Sequence, residues 1–210
     1  NSATSALHSA CLSLEVGKGD LVWTTAISFV ATANCATLCG AEVEFVDIDP
    51  KTVNMSLDDL ELRLEYAERH ERLPKVVIPV HFAGNPVDMQ TLGRLKEKYG
   101  FLIIEDASHA LGAKQHGEPV GNCKYSEITV FSFHAVKIIT SGEGGIAVTN
   151  NESLKNRLQL IRSHGVTRDD DYMHVTSRGS WYYEQVGIGF NYRLSEIHAA
   201  LGLSQMKKID

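Results

Sequence analysis

Phe101-Leu102-Ile103-Ile104-Glu105-Asp106-Ala107-Ser108-His109 and Ile128-Thr129-Val130-Phe131-Ser132-Phe133-His134-Ala135-Val136-Lys137 are the stretches on which the fold turns. Each begins as a short β-branched and aromatic run and breaks off into polar, chemically loaded residues. Apolar residues at consecutive positions imply a strand covered on both faces, as in a parallel sheet flanked by helices. Working outward, the predicted strands are Leu21–Thr24, Val43–Asp47, Val76–Val80, Leu102–Glu105, Ile128–Phe133 and Ile146–Thr149. Stretches of helical period fill the gaps: Ala3–Glu15, Phe29–Gly40, Ser56–Arg69, Asp88–Tyr99, Ser153–His164 and Ser195–Lys208. Ser56 with Asp59, and Ser195 with His198, stand where a helix start puts its cap and third residue. This alternation predicts an α/β fold, a three-layer α/β/α sandwich around a mostly parallel sheet.

The 210 residues carry 20 Lys+Arg against 26 Asp+Glu, a net charge of −6, and are 43% hydrophobic. That composition fits a globular α/β chain and excludes disorder, collagen and disulfide-stapled miniproteins. No basic run is present to neutralise a row of phosphates, which argues against nucleic acid and acidic lipid as partners. The uncharged stretch from Leu21 to Ala41 has the length of a membrane span. Its Thr24, Thr25, Ser28, Thr32, Asn34 and Thr37 are too polar for lipid, and a buried strand followed by a buried helix is expected instead. Four cysteines are too few for a disulfide framework, which points to a reducing, cytoplasmic setting.

Residues 1–165 read as one domain, with residues 166–210 as a loop and helix that continue it. Thr167–Gly189 has no clear period and gathers Asp169-Asp170-Asp171, Arg178-Gly179-Ser180 and Trp181-Tyr182-Tyr183; a mobile loop near a site or interface is expected. The chain opens on Asn1 without an initiator Met and closes on Met206-Lys207-Lys208-Ile209-Asp210 in a charged helical turn, so a fragment is expected.

Ligands of open α/β sheets sit at the carboxyl ends of the strands. There the sequence places Asp106, Ser132 and, five residues past that serine, Lys137. A site for pyridoxal phosphate is one coherent reading of that set. The lysine would form a Schiff base, the aspartate would keep the pyridine nitrogen protonated, and the serine would bind phosphate. The small-residue helix start at Asn1-Ser2-Ala3-Thr4-Ser5-Ala6 would add backbone N–H groups and a positive dipole end for the phosphate. Each signal also has a plainer account. The helix start could be a simple cap, Asp106 could cap the helix that follows, Phe29 could be core, and Asn191 a turn residue. Cys35 and Cys39 lie one helical turn apart, but without a second pair they read as small core residues rather than metal ligands. Gly142-Glu143-Gly144-Gly145 lacks the Gly-Lys-Ser/Thr of a nucleotide loop, so ATP and NAD are not expected as cofactors.

The stretch Ser132-Phe133-His134-Ala135-Val136-Lys137-Ile138-Ile139-Thr140-Ser141-Gly142-Glu143-Gly144-Gly145 resembles the lysine motif of the sugar-nucleotide aminotransferases, the DegT/DnrJ/StrS family of fold type I pyridoxal-phosphate enzymes. Four further segments agree in the family's order: Asn1 to His8, Thr24 to Asn34, Glu105 to Ala110 and Gly189 to Arg193. The resemblance implies Lys137 as the Schiff-base lysine and Asp106 as the partner of the pyridine nitrogen. Ser132, Thr4 and the backbone near Ala3 would hold the phosphate. Phe29 would stack on the cofactor, and His109 would lie beside its 3-oxygen. Asn191 would reach the phosphate of the neighbouring subunit in a homodimer. His81, in Val80-His81-Phe82-Ala83-Gly84, is given a structural role.

Ile27 to Cys35 and Trp181-Tyr182-Tyr183-Glu184-Gln185 are similar to members serving the pseudaminic-acid pathway. That likeness implies transfer of an amino group from glutamate to C4 of a UDP-linked 4-keto-6-deoxy-N-acetylhexosamine, with ping-pong kinetics. Another keto-sugar would be an alternative substrate. The family's dehydratases carry His at the lysine position, so Lys137 favours transamination. Family members run to about twice this length, with a segment before Asn1 and a small carboxyl-terminal domain. A truncated relative that binds cofactor without turnover is therefore a further alternative.

Overall fold

A computed structural model describes residues 1–175 and 179–209. In chain order its elements are α1 (Ala3–Ser13), β1 (Leu21–Thr25), α2 (Ala31–Leu38), β2 (Glu42–Val46), α3 (Leu57–Arg69), β3 (Val76–Ile78), a single 3-10 turn (Phe82–Gly84), α4 (Met89–Tyr99), β4 (Leu102–Asp106), β5 (Lys114–Gln115), β6 (Glu118–Pro119), β7 (Ile128–Ser132), β8 (Gly145–Val148), α5 (Glu152–Arg162), β9 (Val166–Thr167), β10 (Glu184–Gln185) and α6 (Glu196–Met206). Six strands form one sheet in the order β2-β1-β3-β4-β7-β8. All neighbours run parallel except β8, which turns back antiparallel along β7 and pairs Gly145 with Ser132.

Alternation along the strands sorts the core into two layers. On one face Val22, Val76, Ile78, Ile104, Ile128 and Val130 pack under α1, α2 and α5. On the other, Trp23, Val77 and Ile103 meet α3 and α4 through Leu60, Leu64, Leu92 and Leu95. The α/β/α sandwich expected from the sequence is the fold. Burial on both faces holds for β1, β3, β4 and β7 but not for β2 and β8. Those two lie at the sheet's edges, and Phe45 and Ile146 are exposed there.

The caps anticipated at Ser56 and Ser195 are present, each hydroxyl accepting from the N–H of the third helical residue. The start of α2 differs from its expected position at Phe29. Ser28 Oγ bonds to Thr32 Oγ1 at 2.6 Å, which holds the preceding turn outside the helix and leaves Phe29 72% exposed. A core role for Phe29 is thereby excluded. The uncharged stretch from Leu21 to Ala41 forms β1 and α2, and no helix among the described residues is long and apolar enough to cross a membrane. The segment expected to lack structure is closed at its base by the β9–β10 pair, with Thr167 opposite Glu184. Arg178, named in that expectation, lies outside the described residues.

Candidate cofactor site

Asp106 is the last residue of β4 and Ser132 the last of β7, two neighbouring strands that pair Asp106 with Val130. Both side chains are buried at the carboxyl edge of the sheet. A buried carboxylate needs donors, and Asp106 has two. Thr32 Oγ1 donates to Oδ2 at 2.7 Å, and the Ser108 N–H donates to Oδ1 at 3.1 Å. Neither Thr32 nor Ser28 behind it was read as a site residue from the sequence. The signal was a pair of hydroxyls one helical turn apart just past a strand end.

Ser132 Oγ accepts the His134 N–H at 3.3 Å, and among the described residues its own proton has no acceptor. From there the chain folds into a tight loop. Phe133 N–H donates to Gly144 O at 2.9 Å, Ser141 N–H to Phe133 O at 2.9 Å and Lys137 N–H to His134 O at 3.0 Å. Lys137 is thus presented half-exposed on a loop whose two ends are stitched together, and α6 leans on the far end at Ser141 and Gly142.

Gly145 connects this loop to the amino end of α1. A Cβ there would collide with the backbone of Ser2 and Ala3, so only glycine allows β8 to run against the helix start. Ser2 caps α1 through the Ser5 N–H at 3.1 Å, and Ser5 answers on the Ser2 N–H. Among the described residues the N–H groups of Ala3 and Thr4 have no acceptor. The plain-cap account of this segment is therefore correct for Ser2, and two donors remain beyond it with the positive end of the helix behind them.

His109 follows Asp106 by three residues. Burial and the positive charge of Lys137 push its pKa below the ordinary value, against the pull of Asp106, so Lys137, Asp106 and His109 share one electrostatic neighbourhood. Its Nδ1 accepts the Ala83 N–H at 3.3 Å. Phe29 stands exposed on the turn fixed by Ser28 and Thr32. Asn191 is exposed, with its carbonyl accepting from Asn1 Nδ2 at 3.1 Å. Its side chain has no partner on this chain among the described residues.

The donor set suits a dianionic phosphate and a protonated ring nitrogen: two free helix-terminal N–H groups and a hydroxyl for the one, a buried carboxylate for the other, and an amine on the loop that follows the same rim. Pyridoxal phosphate meets those requirements. A cavity of about 380 Å³ lies elsewhere, between α1, β8 and α5, and includes none of Lys137, Asp106 and Ser132. Among the described residues no group of three His, Cys, Asp or Glu is placed to hold a metal. Cys35 is buried, whereas Cys39 is only half-buried, a departure from the core role expected of both. The Cys11 thiol, bonding to Cys39, holds the latter at about 5; partial burial opposes this and His8 adds to it.

Comparison with known proteins gives the same picture across the whole chain. The model of the DegT/DnrJ/EryC1/StrS aminotransferase family matches residues 1–210. UDP-4-amino-4,6-dideoxy-N-acetyl-beta-L-altrosamine transaminase of Campylobacter jejuni subsp. jejuni serotype O:2 is 42% identical over 100% of this chain and 52% of its own. The solved structure of PseC from Helicobacter pylori, an aminotransferase involved in the biosynthesis of pseudoaminic acid, superimposes with a TM-score of 0.86 at 36% identity, covering 100% of this chain and 52% of that one. A Streptococcus pneumoniae protein described as a sugar aminotransferase, solved in a PLP form, gives a TM-score of 0.82 at 31% identity over 100% of this chain and 54% of its own. The chain spans about half the length of the relatives it matches.

Proposed function

The chain belongs to the DegT/DnrJ/EryC1/StrS aminotransferase family, and on that premise we propose that it is the cofactor-binding part, residues 1–165 continued by 166–210, of a pyridoxal-phosphate enzyme that transfers an amino group from glutamate to C4 of a UDP-linked 4-keto-6-deoxy-N-acetylhexosamine. The observation that carries the reading is one rim holding Asp106, Ser132, Lys137 and the start of α1, joined through Gly145. The choice of sugar is supported by the altrosamine transaminase of C. jejuni.

Pyridoxal phosphate, when bound, supplies an electron sink that lets a proton leave the carbon attached to the substrate nitrogen. Asp106, with its carboxylate already oriented by Thr32 and Ser108, holds the ring nitrogen in its protonated form. Ser132 Oγ and the N–H groups of Ala3 and Thr4 bind the phosphate, with the Thr4 hydroxyl beside them. Lys137 Nζ would hold the cofactor covalently and its freed amine would serve as the base that moves the proton. Phe29 would cover the ring and His109 would bind its 3-oxygen.

Asn191 completes the phosphate site of a second copy, which makes the active unit a homodimer. The exposed apolar side chains of Phe29, Val30, Val136 and Ile138, on the two segments that frame the rim, support that assembly. A reducing, cytoplasmic setting is supported by four free cysteines, unpaired although Cys11 and Cys35 sulfurs lie 3.5 Å apart.

The test is visible absorption of the purified protein with pyridoxal phosphate, before and after glutamate, with Lys137→Ala as control. A band that requires Lys137 and is bleached by glutamate supports transamination. A band that glutamate leaves unchanged shows a cofactor binder without turnover, and no band at all overturns the site.

A further inference from the structure

Directly before Asp106, and so on the opposite face of β4, Glu105 is buried with three donors. It accepts from His81 Nε2 at 2.8 Å, from Thr129 Oγ1 at 2.9 Å and from the hydroxyl of Ser126. Burial pushes its carboxyl up, but the hydrogen bond from His81 and those of the two hydroxyls outweigh burial and hold it below the usual range. His81 is wholly buried. Its Nδ1 accepts the Val87 N–H at 3.1 Å, so the ring proton is on Nε2 and points at Glu105.

That pair locks the turn that follows. The His81 N–H donates to Asp106 O at 3.0 Å, Phe82 N–H to Asn54 Oδ1 at 3.0 Å and Gly84 N–H to His81 O at 3.1 Å. Ala83 is held at φ +50°, a left-handed conformation that a residue with a Cβ adopts only under constraint. Gly84, at φ +83°, lies so close to the His109 carbonyl that a Cβ would stand 2.9 Å from its oxygen. The product of this strained turn is one N–H, that of Ala83, aimed at His109 Nδ1. The Phe82 ring sits edge-on to the His109 ring at 6.2 Å.

We infer that His81 and Glu105 are positioning residues that fix which nitrogen of His109 carries its proton. With the Ala83 N–H on Nδ1, neutral His109 keeps its hydrogen on Nε2 and offers a donor, not a lone pair, to the anionic 3-oxygen of the cofactor. The cofactor half of this inference rests on the function proposed above; the assignment of the proton does not. The charged groups sharing His109's surroundings are Lys137 and Asp106, which act in opposite directions, and burial favours the neutral ring.

The test is long-range ¹H–¹⁵N NMR of the full chain with ¹⁵N-labelled histidine, first without cofactor. His109 is expected as the Nε2–H form with a depressed titration midpoint. In His81→Leu the Nδ1–H form gains population and the midpoint moves up by about half a pH unit, the worth of one modest hydrogen bond. Glu105→Gln, which still accepts from His81, is expected to stay near wild type. Because His81→Leu empties a buried polar site and can fail to fold, Asn54→Ala serves as the second variant. It removes the Asn54 acceptor and leaves the Phe82 N–H only the Val80 carbonyl, and it is expected to speed exchange of the Ala83 amide and to shift His109 in the same direction. A His109 that is Nδ1–H in the wild type, or one that is unmoved in folded His81→Leu or Asn54→Ala, overturns the inference. Adding pyridoxal phosphate should then displace the Nε2 resonance far more than the Nδ1 resonance. A visible band without that displacement overturns the cofactor half alone, whereas a missing band counts against the proposed function and leaves the proton assignment standing.

Discussion

Thr32 Oγ1 lies 2.7 Å from Asp106 Oδ2, and Ser28 Oγ lies 2.6 Å from the same threonine oxygen. The first turn of α2, the segment that carries Phe29 and the buried carboxylate are therefore one hydrogen-bonded unit. Thr32→Val keeps the shape and removes the donor. A hydrogen bond to a charged group is worth about 1.5–3 kcal/mol, so the rate of glutamate-dependent bleaching is expected to fall by about tenfold or more. An unchanged rate would show that Asp106 is oriented without Thr32.

Lys137 is half-exposed on its loop, and no hydrogen bond from its amine is present among the described residues. Lys137→Ala is accordingly expected to leave the melting temperature within a degree or two while lowering transamination by about a thousandfold, the scale of a lost acid–base group. Calorimetry beside a turnover assay separates the two effects.

At Gly145 the expectation reverses, because the residue carries no side chain for chemistry yet seats the helix start. Gly145→Ala drives a Cβ into the Ser2–Ala3 backbone, an overpacking change that typically costs about 1–3 kcal/mol. Both stability and affinity for inorganic phosphate should drop; a loss of stability with phosphate affinity intact would separate α1 from the anion site.

Cys39 is held at about 5 by the Cys11 thiol, partial burial notwithstanding, with His8 contributing. Burial pushes Cys123 the opposite way. Alkylation of Cys39 by iodoacetamide, followed by peptide mass spectrometry, should run at a nearly constant rate between about pH 6 and 8. A tenfold rise per pH unit over that range would contradict the thiolate.

The folded-state pKa of Glu105 is depressed, so its stabilising contribution is complete above the unfolded value of about 4.3 and is lost as the pH falls through the lower folded value. Glu105→Gln is expected to be about 2 kcal/mol less stable than wild type at neutral pH. The gap should narrow under acid conditions. Urea denaturation at several pH values reads this directly, and a gap that widens in acid would reverse the sign.

The sequence made the layers and most of the rim legible because strand runs such as Ile128 to Phe131 are apolar without interruption, and their ends break into Asp106, Ser132 and Lys137. What it concealed depends on pairing across the sheet. The exposure of β2 and β8 follows from their edge positions, which no local pattern announces. Thr32 and His81 gain their roles from Asp106 and Glu105 on another strand. The start of α2 was misplaced at Phe29 because a hydroxyl-to-hydroxyl bond, from Ser28 to Thr32, closes the turn before the helix. The β9–β10 pair escaped notice because two residues a side carry no period.

The close approach of Gly145 to Ala3 also sets an order of events during synthesis. The helix start proposed to receive the phosphate is among the first of these residues to leave the ribosome, yet the strand that braces it comes after every other strand of the large sheet. Such a long-range contact forms only once the intervening chain is in place. The proposed anion site is thus assembled last although half of it is made first, and a nascent chain halted before Gly145 would have Ser132 and Lys137 but no braced helix end to set against them.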